Sequence, residues 1–347
     1  MEDLTISFSF LQEQITTIAL LGLMGVIVAT ILTPLYTKVA YKYEFWKKQR
    51  DTALTGEKAS IFHKLHAAKH AKHIPTMAGM IAVVTVALIT LIFNWDRAQT
   101  WLPVAAMLGA ASVGLLDDIF NLRGIGKTLG LQAKVKFGLV LLIGLAGGLY
   151  SFIKLGYSTL DIPFVAANIE VGWLFVPIFI LVVLASANSV NMTDGLDGLA
   201  GGLLTIVFSA YALIAFLQGN YGIAGFCATA AGALISYTWF NIFPARFFMG
   251  DVGSFAFGTA LGVVAMLTDT VLLLPIIGVM FVAEAGSVIL QILSKKLLKK
   301  KIFISSPFHH HFEAIGWPET KVTMRFWLIG QVAAVIGVII AIYGGQL

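Results

Sequence analysis

The sequence predicts an all-α polytopic membrane protein with about ten transmembrane helices, and three observations predict it. First, 58% of the 347 residues are hydrophobic and 12% charged, with mean hydropathy +0.88, against roughly 25% charged in ordinary soluble domains. Second, ten apolar segments are long enough, or nearly so, to cross roughly 30 Å of hydrocarbon. They lie near 17–38, 78–94, 101–116, 135–153, 172–188, 199–217, 222–240, 253–268, 271–293 and 324–343. Third, 21 of the 23 Lys and Arg residues fall in the odd-numbered loops, leaving only Arg97 and Lys154 in the even ones. That asymmetry predicts odd loops in the cytoplasm and both termini outside.

The segments follow one another without a linker, so residues 1–347 read as one integral-membrane domain. The first 14 residues carry acids and no Lys or Arg, the wrong flank for a cleavable signal, so the first helix is expected to be retained. A single cysteine, Cys227, excludes a disulfide framework or a thiolate metal cage. No Walker, dinucleotide-binding or zinc signature occurs, and nucleic acid is not among the expected partners. The net charge of +5 belongs to one face, suited to anionic headgroups and anionic substrates.

All seven histidines also fall in odd loops. Polar groups gathered on one face favour a membrane-surface active site over a transporter, which would place ionisable groups along a path at mid-membrane depth. In the first such loop, His63, His66, His70 and His73 recur on one helical face, read mainly as a cationic stripe on headgroups. Thr76, in Pro75–Gly79, stands where it would cap a helix or bind substrate. The third segment ends in Asp117–Asp118, whose side chains on a helix point roughly 100° apart. They therefore divide their work, one as metal ligand or general base and one holding a lysine, with Lys127, Lys134 and Lys136 at hand.

The stretch the chain is built around is Asn188–Gly202, NSVNMTDGLDGLAGG. Carboxylates there would be costly beside lipid unless paired, and glycine lets backbone approach a ligand. Asp251 follows, between Gly250 and Gly253, where carboxylate and backbone can meet phosphate or metal, and Phe248 is placed to stack a planar base. Glu284, with Gln291 seven residues on, reads as a buried paired contact. His309–His310–His311 are poorly spaced for chelation but suit phosphoryl oxygens and proton transfer near pH 7. Together these groups describe a site for Mg2+ and a diphosphate, since Mg2+ takes one or two carboxylates plus phosphate oxygens.

Read as motifs, PTMAG, GLLDD, NMTDGLDGLAGG, FNIFPARFFMGDVGS, EAGSVILQ and SPFHHHFEAIGWPETKV cover nearly the whole chain. They resemble the bacterial phospho-N-acetylmuramoyl-pentapeptide transferase family, within the polyprenyl-phosphate N-acetylhexosamine-1-phosphate transferases. The aspartate motifs point to the superfamily, and the triple histidine with Gly316–Glu319 singles out the branch.

The resemblance implies ten helices with cytosolic active-site loops, in the bacterial inner membrane. It also implies transfer of phospho-MurNAc-pentapeptide from UDP-MurNAc-pentapeptide to undecaprenyl phosphate, with Mg2+, giving lipid I and UMP. A homodimer is compatible with it.

By motif position it assigns catalytic roles to Asp117, Asp118, Asp251, His309, His310 and His311, with Mg2+ on Asp251 and Asp117 as its second candidate ligand. Substrate contacts fall to Thr76, Lys136 (near a uridine pocket), Asn191, Asp194, Asp197, Asn241 and Phe248. One departure stands out: Ala71 occupies the place of an expected substrate lysine, so Lys72 or Lys69 takes that role. The alternatives are a sister transferase moving GlcNAc-1-phosphate and, from another class, a lipid or nucleotide-sugar transporter.

Overall fold

The structure is a computed structural model describing residues 2–46, 73–124, 130–165 and 168–346. His63, His66, His70, Lys69, Ala71, Lys72 and Lys127 lie outside the described residues. Helices run α1 Glu2–Lys42, α2 Gly79–Phe93, α3 Trp101–Arg123, α4 Ala133–Lys154, α5 Phe175–Thr193, α6 Leu199–Leu217, α7 Tyr221–Asn241 and α8 Gly250–Leu267. They continue as α9 Leu274–Ile277, α10 Val279–Leu297, α11 Phe308–Ala314 and α12 Glu319–Tyr343.

The chain is thus an all-helical polytopic membrane protein. Among the described residues eight helices are long and apolar enough to cross a membrane, and the bent segment Val271–Leu297 makes a ninth if it is one span. That segment was expected as one continuous helix over 271–293. Instead it opens as a 3-10 turn with Pro275 in the first turn of the short α9, then bends by 84° into α10 at Gly278, whose φ −99° and ψ +30° leave helical geometry. The 15 residues of α2 rise only about 22 Å, short of a full bilayer core.

The third segment was expected to stop at 116. Here α3 runs to Arg123 and ends at Gly124 with φ +68°, so Asp117, Asp118 and Asn121 are helical and buried. Hydropathy ended the segment early because carboxylates look like loop residues, whereas paired ones remain in a helix. A two-stranded antiparallel ribbon, Thr159–Leu160 with Ile169–Glu170, joins α4 to α5.

Helix α8 is almost wholly buried and is the axis of the bundle, with α3 and α5 packed along it. Small residues permit this approach: a Cβ on Gly114 of α3 would stand 2.2 Å from the Asp251 carbonyl oxygen. The first turn of α8 is therefore pressed against the acidic end of α3, and that contact builds the site.

Candidate active site

Asp117 and Asp118 do separate, as their angular spacing requires. Asp117 Oδ1 accepts the Leu131 N–H at 2.6 Å, and its Oδ2 lies 3.2 Å from Lys136 Nζ. The same Nζ is 3.1 Å from Asp251 Oδ2. One ammonium thus joins two carboxylates from α3 and α8, while also lying 5.6 Å from the Phe255 ring. Lys136, expected near a uridine pocket, places its charge between the two aspartates.

Asp118 faces elsewhere. Its Oδ2 accepts the Val252 N–H at 3.0 Å, satisfying one of the open amides of α8. Gly250 has φ +78°, and a Cβ there would meet Asp118 Oδ2 at 2.7 Å and Met77 N at 2.8 Å. The carboxylate expected to be catalytic is fully buried and anchors the helix that presents Asp251.

The segment before α8 is tied to PTMAG through backbone. Phe248 N–H donates to the Pro75 carbonyl at 2.8 Å, while Ala78 and Gly79 donate back to Phe248 and Met249. Phe248 is half-buried at this seam. Thr76 is 2% exposed; its N–H donates to Phe45 and its carbonyl accepts Tyr36 Oη. The expectation that Thr76 caps a helix is corrected: α2 begins after Ala78 without a side-chain cap, and the Thr76 backbone serves as a buried link between α1 and the loop. His73 lies beside Trp46, ring centroids 5.3 Å apart and tilted by 44°.

The glycine-rich stretch divides too. Asn188 and Asn191 belong to α5, and Asn191 Nδ2 donates to Ser254 Oγ at 2.9 Å, joining the stretch to the turn of α8 that carries Asp251. Asp194 ends the helix, half-buried. Asp197 and Asn241, expected to contact substrate, are buried and bonded to backbone. Asp197 Oδ2 accepts the Ala245 N–H at 3.0 Å, and its own N–H donates to Glu319 Oε1 at 2.6 Å. Asn241 accepts from Gly198 N–H at 3.0 Å and donates to the Phe247 carbonyl at 2.8 Å. Both fasten the 194–198 turn to the 242–249 loop, because a polar side chain in a motif serves a buried peptide group as readily as a ligand.

The three histidines go three ways, since neighbours on α11 project about 100° apart. His309 Nδ1 lies 3.0 Å from Glu284 Oε2, fully buried on both sides. His310 Nδ1 lies 2.7 Å from Glu313 Oε2. His311 Nδ1 accepts the Ile304 N–H at 3.3 Å, with its ring among Phe303 and Phe308. Burial disfavours a charged His309, but Glu284, by charge and hydrogen bond, with Glu313 and Glu319, outweighs it and raises the pKa above the usual 6.5. Sequence reading had the buried pairing of Glu284 but not its partner.

A divalent cation fits the donor set. Asp117 and Asp251 already converge on one positive charge, and one or two carboxylates completed by phosphate oxygens and water are the donors Mg2+ takes.

Residues 100–269, spanning α3 to the end of α8, match the family described as Glycosyl transferase family 4. A phospho-N-acetylmuramoyl-pentapeptide-transferase of Chloroflexus aurantiacus is 40% identical over 286 residues, 78% of each chain. Those of a Geobacillus species (35% over 336 residues, 95% of this chain and 99% of the relative) and Bacillus mycoides (36% over 321 residues, 91% and 95%) match almost end to end. With the aspartates, the glycine-rich turn and the histidine segment gathered by this fold, the chain belongs to the phospho-N-acetylmuramoyl-pentapeptide-transferase family.

Proposed function

We propose that this protein transfers phospho-MurNAc-pentapeptide from UDP-MurNAc-pentapeptide to undecaprenyl phosphate, releasing UMP and forming lipid I, with Mg2+. The observation that carries the reading is the Asp117–Lys136–Asp251 cluster, one cation between two carboxylates at 3.2 and 3.1 Å. Phosphoryl transfer asks mainly for positioning and charge neutralisation, and this cluster is built for both.

In this reading an oxygen of the lipid phosphate attacks the phosphorus that bears the sugar. The P–O bond to the uridylyl phosphate breaks, and UMP leaves with that oxygen. Asp117 orients the lipid phosphate and takes its proton when one is present, and Lys136 offsets the two carboxylates. Asp194 and Phe248 border the nucleotide. Asp118, Asp197 and Asn241 hold the loops by their peptide groups. Mg2+, held by Asp251 with Asp117, would neutralise the diphosphate.

The finer topology belongs to the same proposal: ten spans, both termini outside, the site facing the cytoplasm of the inner membrane. The charge bias of the loops supports it. Cys227 is buried, so single cysteines introduced at Arg97 and at Lys299 report sidedness above a low background. Labelling from outside at Lys299 would reverse the orientation.

UMP release by detergent-purified protein supplied with both substrates and Mg2+, beside Asp251→Ala, tests the function. Release lost in the variant and without Mg2+ is expected. Release only with UDP-GlcNAc would make the protein the sister transferase, and no release from a folded sample would end the enzyme reading.

A further inference from the structure

One face of α10 is polar along its length. Glu284, Ser287, Gln291 and Ser294 recur at i, i+3, i+7 and i+10, and all four are buried. Gln291 Oε1 accepts the Ile302 and Phe303 N–H groups at 3.1 and 3.0 Å, and its Nε2 donates to the Phe303 carbonyl at 2.8 Å. Ser294 Oγ donates to the Lys300 carbonyl at 2.7 Å. The loop between α10 and α11 is thus fastened along the helix it has just left.

Glu284 fastens the far end. The His309 backbone N–H donates to its two carboxylate oxygens at 3.2 and 3.4 Å, and His309 Nδ1 lies 3.0 Å from Oε2. An ionised carboxylate only accepts, so the proton between them sits on Nδ1. Nε2 then carries whatever the ring does next. That atom is buried and has no hydrogen-bond partner among the described residues. It lies against the backbone of the glycine-rich turn, where a Cβ on Gly195 would stand 2.3 Å from it.

The charged and titratable groups around the ring are Glu284 from α10, His310 (centroids 4.1 Å away) and Glu313 from α11, and Glu319 from α12. Asp194 adjoins Gly195 in the turn. A loop anchor alone needs the His309 amide. It does not need the imidazole held by the same carboxylate with its other nitrogen set at the glycine-rich turn.

Resting on the transferase reading above, we propose that Glu284 is a positioning residue: it fixes His309 with Nδ1–H on its carboxylate and Nε2 at Gly195, where Nε2–H meets a phosphoryl oxygen of the nucleotide-sugar. A carboxylate behind an imidazole fixes tautomer and ring orientation, and removing such a partner from a metal-ligating histidine typically costs about 10–100-fold in metal affinity or activity, the scale taken here for His309. The raised pKa of His309 agrees with a ring protonated at both nitrogens while the site works.

The test is Glu284→Gln, which keeps an acceptor for the His309 amide and for Nδ1–H but removes the charge. Expected are a fall in kcat of about 10–100-fold, a KM for UDP-MurNAc-pentapeptide within about twofold, and an alkaline limb of the pH–kcat profile moved to lower pH. Glu284→Asp, which keeps the charge, should hold the wild-type limb. Titration of the His309 ring by 15N NMR, which needs no turnover, should show a lower pKa in Glu284→Gln. An unmoved limb with an unmoved His309 titration overturns the proposal, as does a loss confined to KM or to thermal stability. Wild type without UMP release would sink the transferase reading instead, and the NMR titration would still decide whether Glu284 sets the ring.

Discussion

Replacing Lys136 with methionine removes the one charge shared by Asp117 and Asp251 while keeping the length of the side chain. The two Oδ2 atoms are no more than about 6.3 Å apart, since they lie 3.2 and 3.1 Å from the same nitrogen. At an effective dielectric constant near 20, two carboxylates about 6 Å apart repel by about 3 kcal/mol. Asp117 is 2% exposed and Lys136 16%, so solvent screens little of this, and losing one partner of such a buried pair costs about 3–5 kcal/mol. Lys136→Met in EDTA should therefore melt several degrees below wild type in the same detergent. Because the vacated position then carries two negative charges, added MgCl2 should raise the melting temperature of the variant more than that of wild type, and KCl at equal ionic strength should not. UMP release should fall at every Mg2+ concentration. A variant that melts like wild type in EDTA and ignores Mg2+ would refute both the shared-cation geometry and the metal site built on it.

Three further outcomes follow from the same contacts. Asp197→Ala should cost about 1–3 kcal/mol, because the buried Ala245 N–H loses its acceptor; Asp197→Asn, which keeps an oxygen, should cost less in chemical denaturation. Gly114→Ala puts a Cβ 2.2 Å from the Asp251 carbonyl oxygen, so about 1–3 kcal/mol of overpacking and a marked loss of UMP release are expected. Gly138→Ala, with nothing within 4 Å, should leave both unchanged. His309 has a folded pKa above its unfolded value, so its contribution is complete below about pH 6.5 and is lost as pH rises through the folded value. The melting-temperature advantage of wild type over His309→Gln should therefore shrink between pH 6 and pH 9; an advantage that grows with pH would reverse the sign of the His309–Glu284 coupling.

The fold was legible because lipid imposes a simple rule. Long apolar segments follow from the cost of exposing polar groups to hydrocarbon, and that cost is local to each segment. The bend in Val271–Leu297 was less visible, since Leu, Val and Ile on both sides of Gly278 mask the break. The division of labour between Asp117 and Asp118 was legible for the same local reason, the angle between adjacent residues on a helix. Which carboxylate takes the lysine was not, because it depends on Asp251 and Val252, more than a hundred residues away in sequence. Glu284 likewise read as an interior contact until His309, 25 residues on, supplied its partner.

Some polar residues of the motifs answer a structural need that their type alone does not announce. Asp118 and Asp197 are 0% and 2% exposed, and each gives an oxygen to a backbone N–H. Asn241 accepts a backbone N–H on one side of its amide and donates to a backbone carbonyl on the other. A carboxylate used in this way has exchanged water for peptide donors, and substrate cannot take its place without leaving those amides unpaired in a buried site. Asp251 is different: at 14% exposure, with a lysine ammonium on Oδ2, it can exchange one cation for another at modest cost. Asp117 stands between the two kinds, one oxygen on the Leu131 amide and one on Lys136, so its direction is fixed while its charge stays available. On this physical ground the chemistry is expected at Asp117 and Asp251, with Asp118 holding the helix that brings them together.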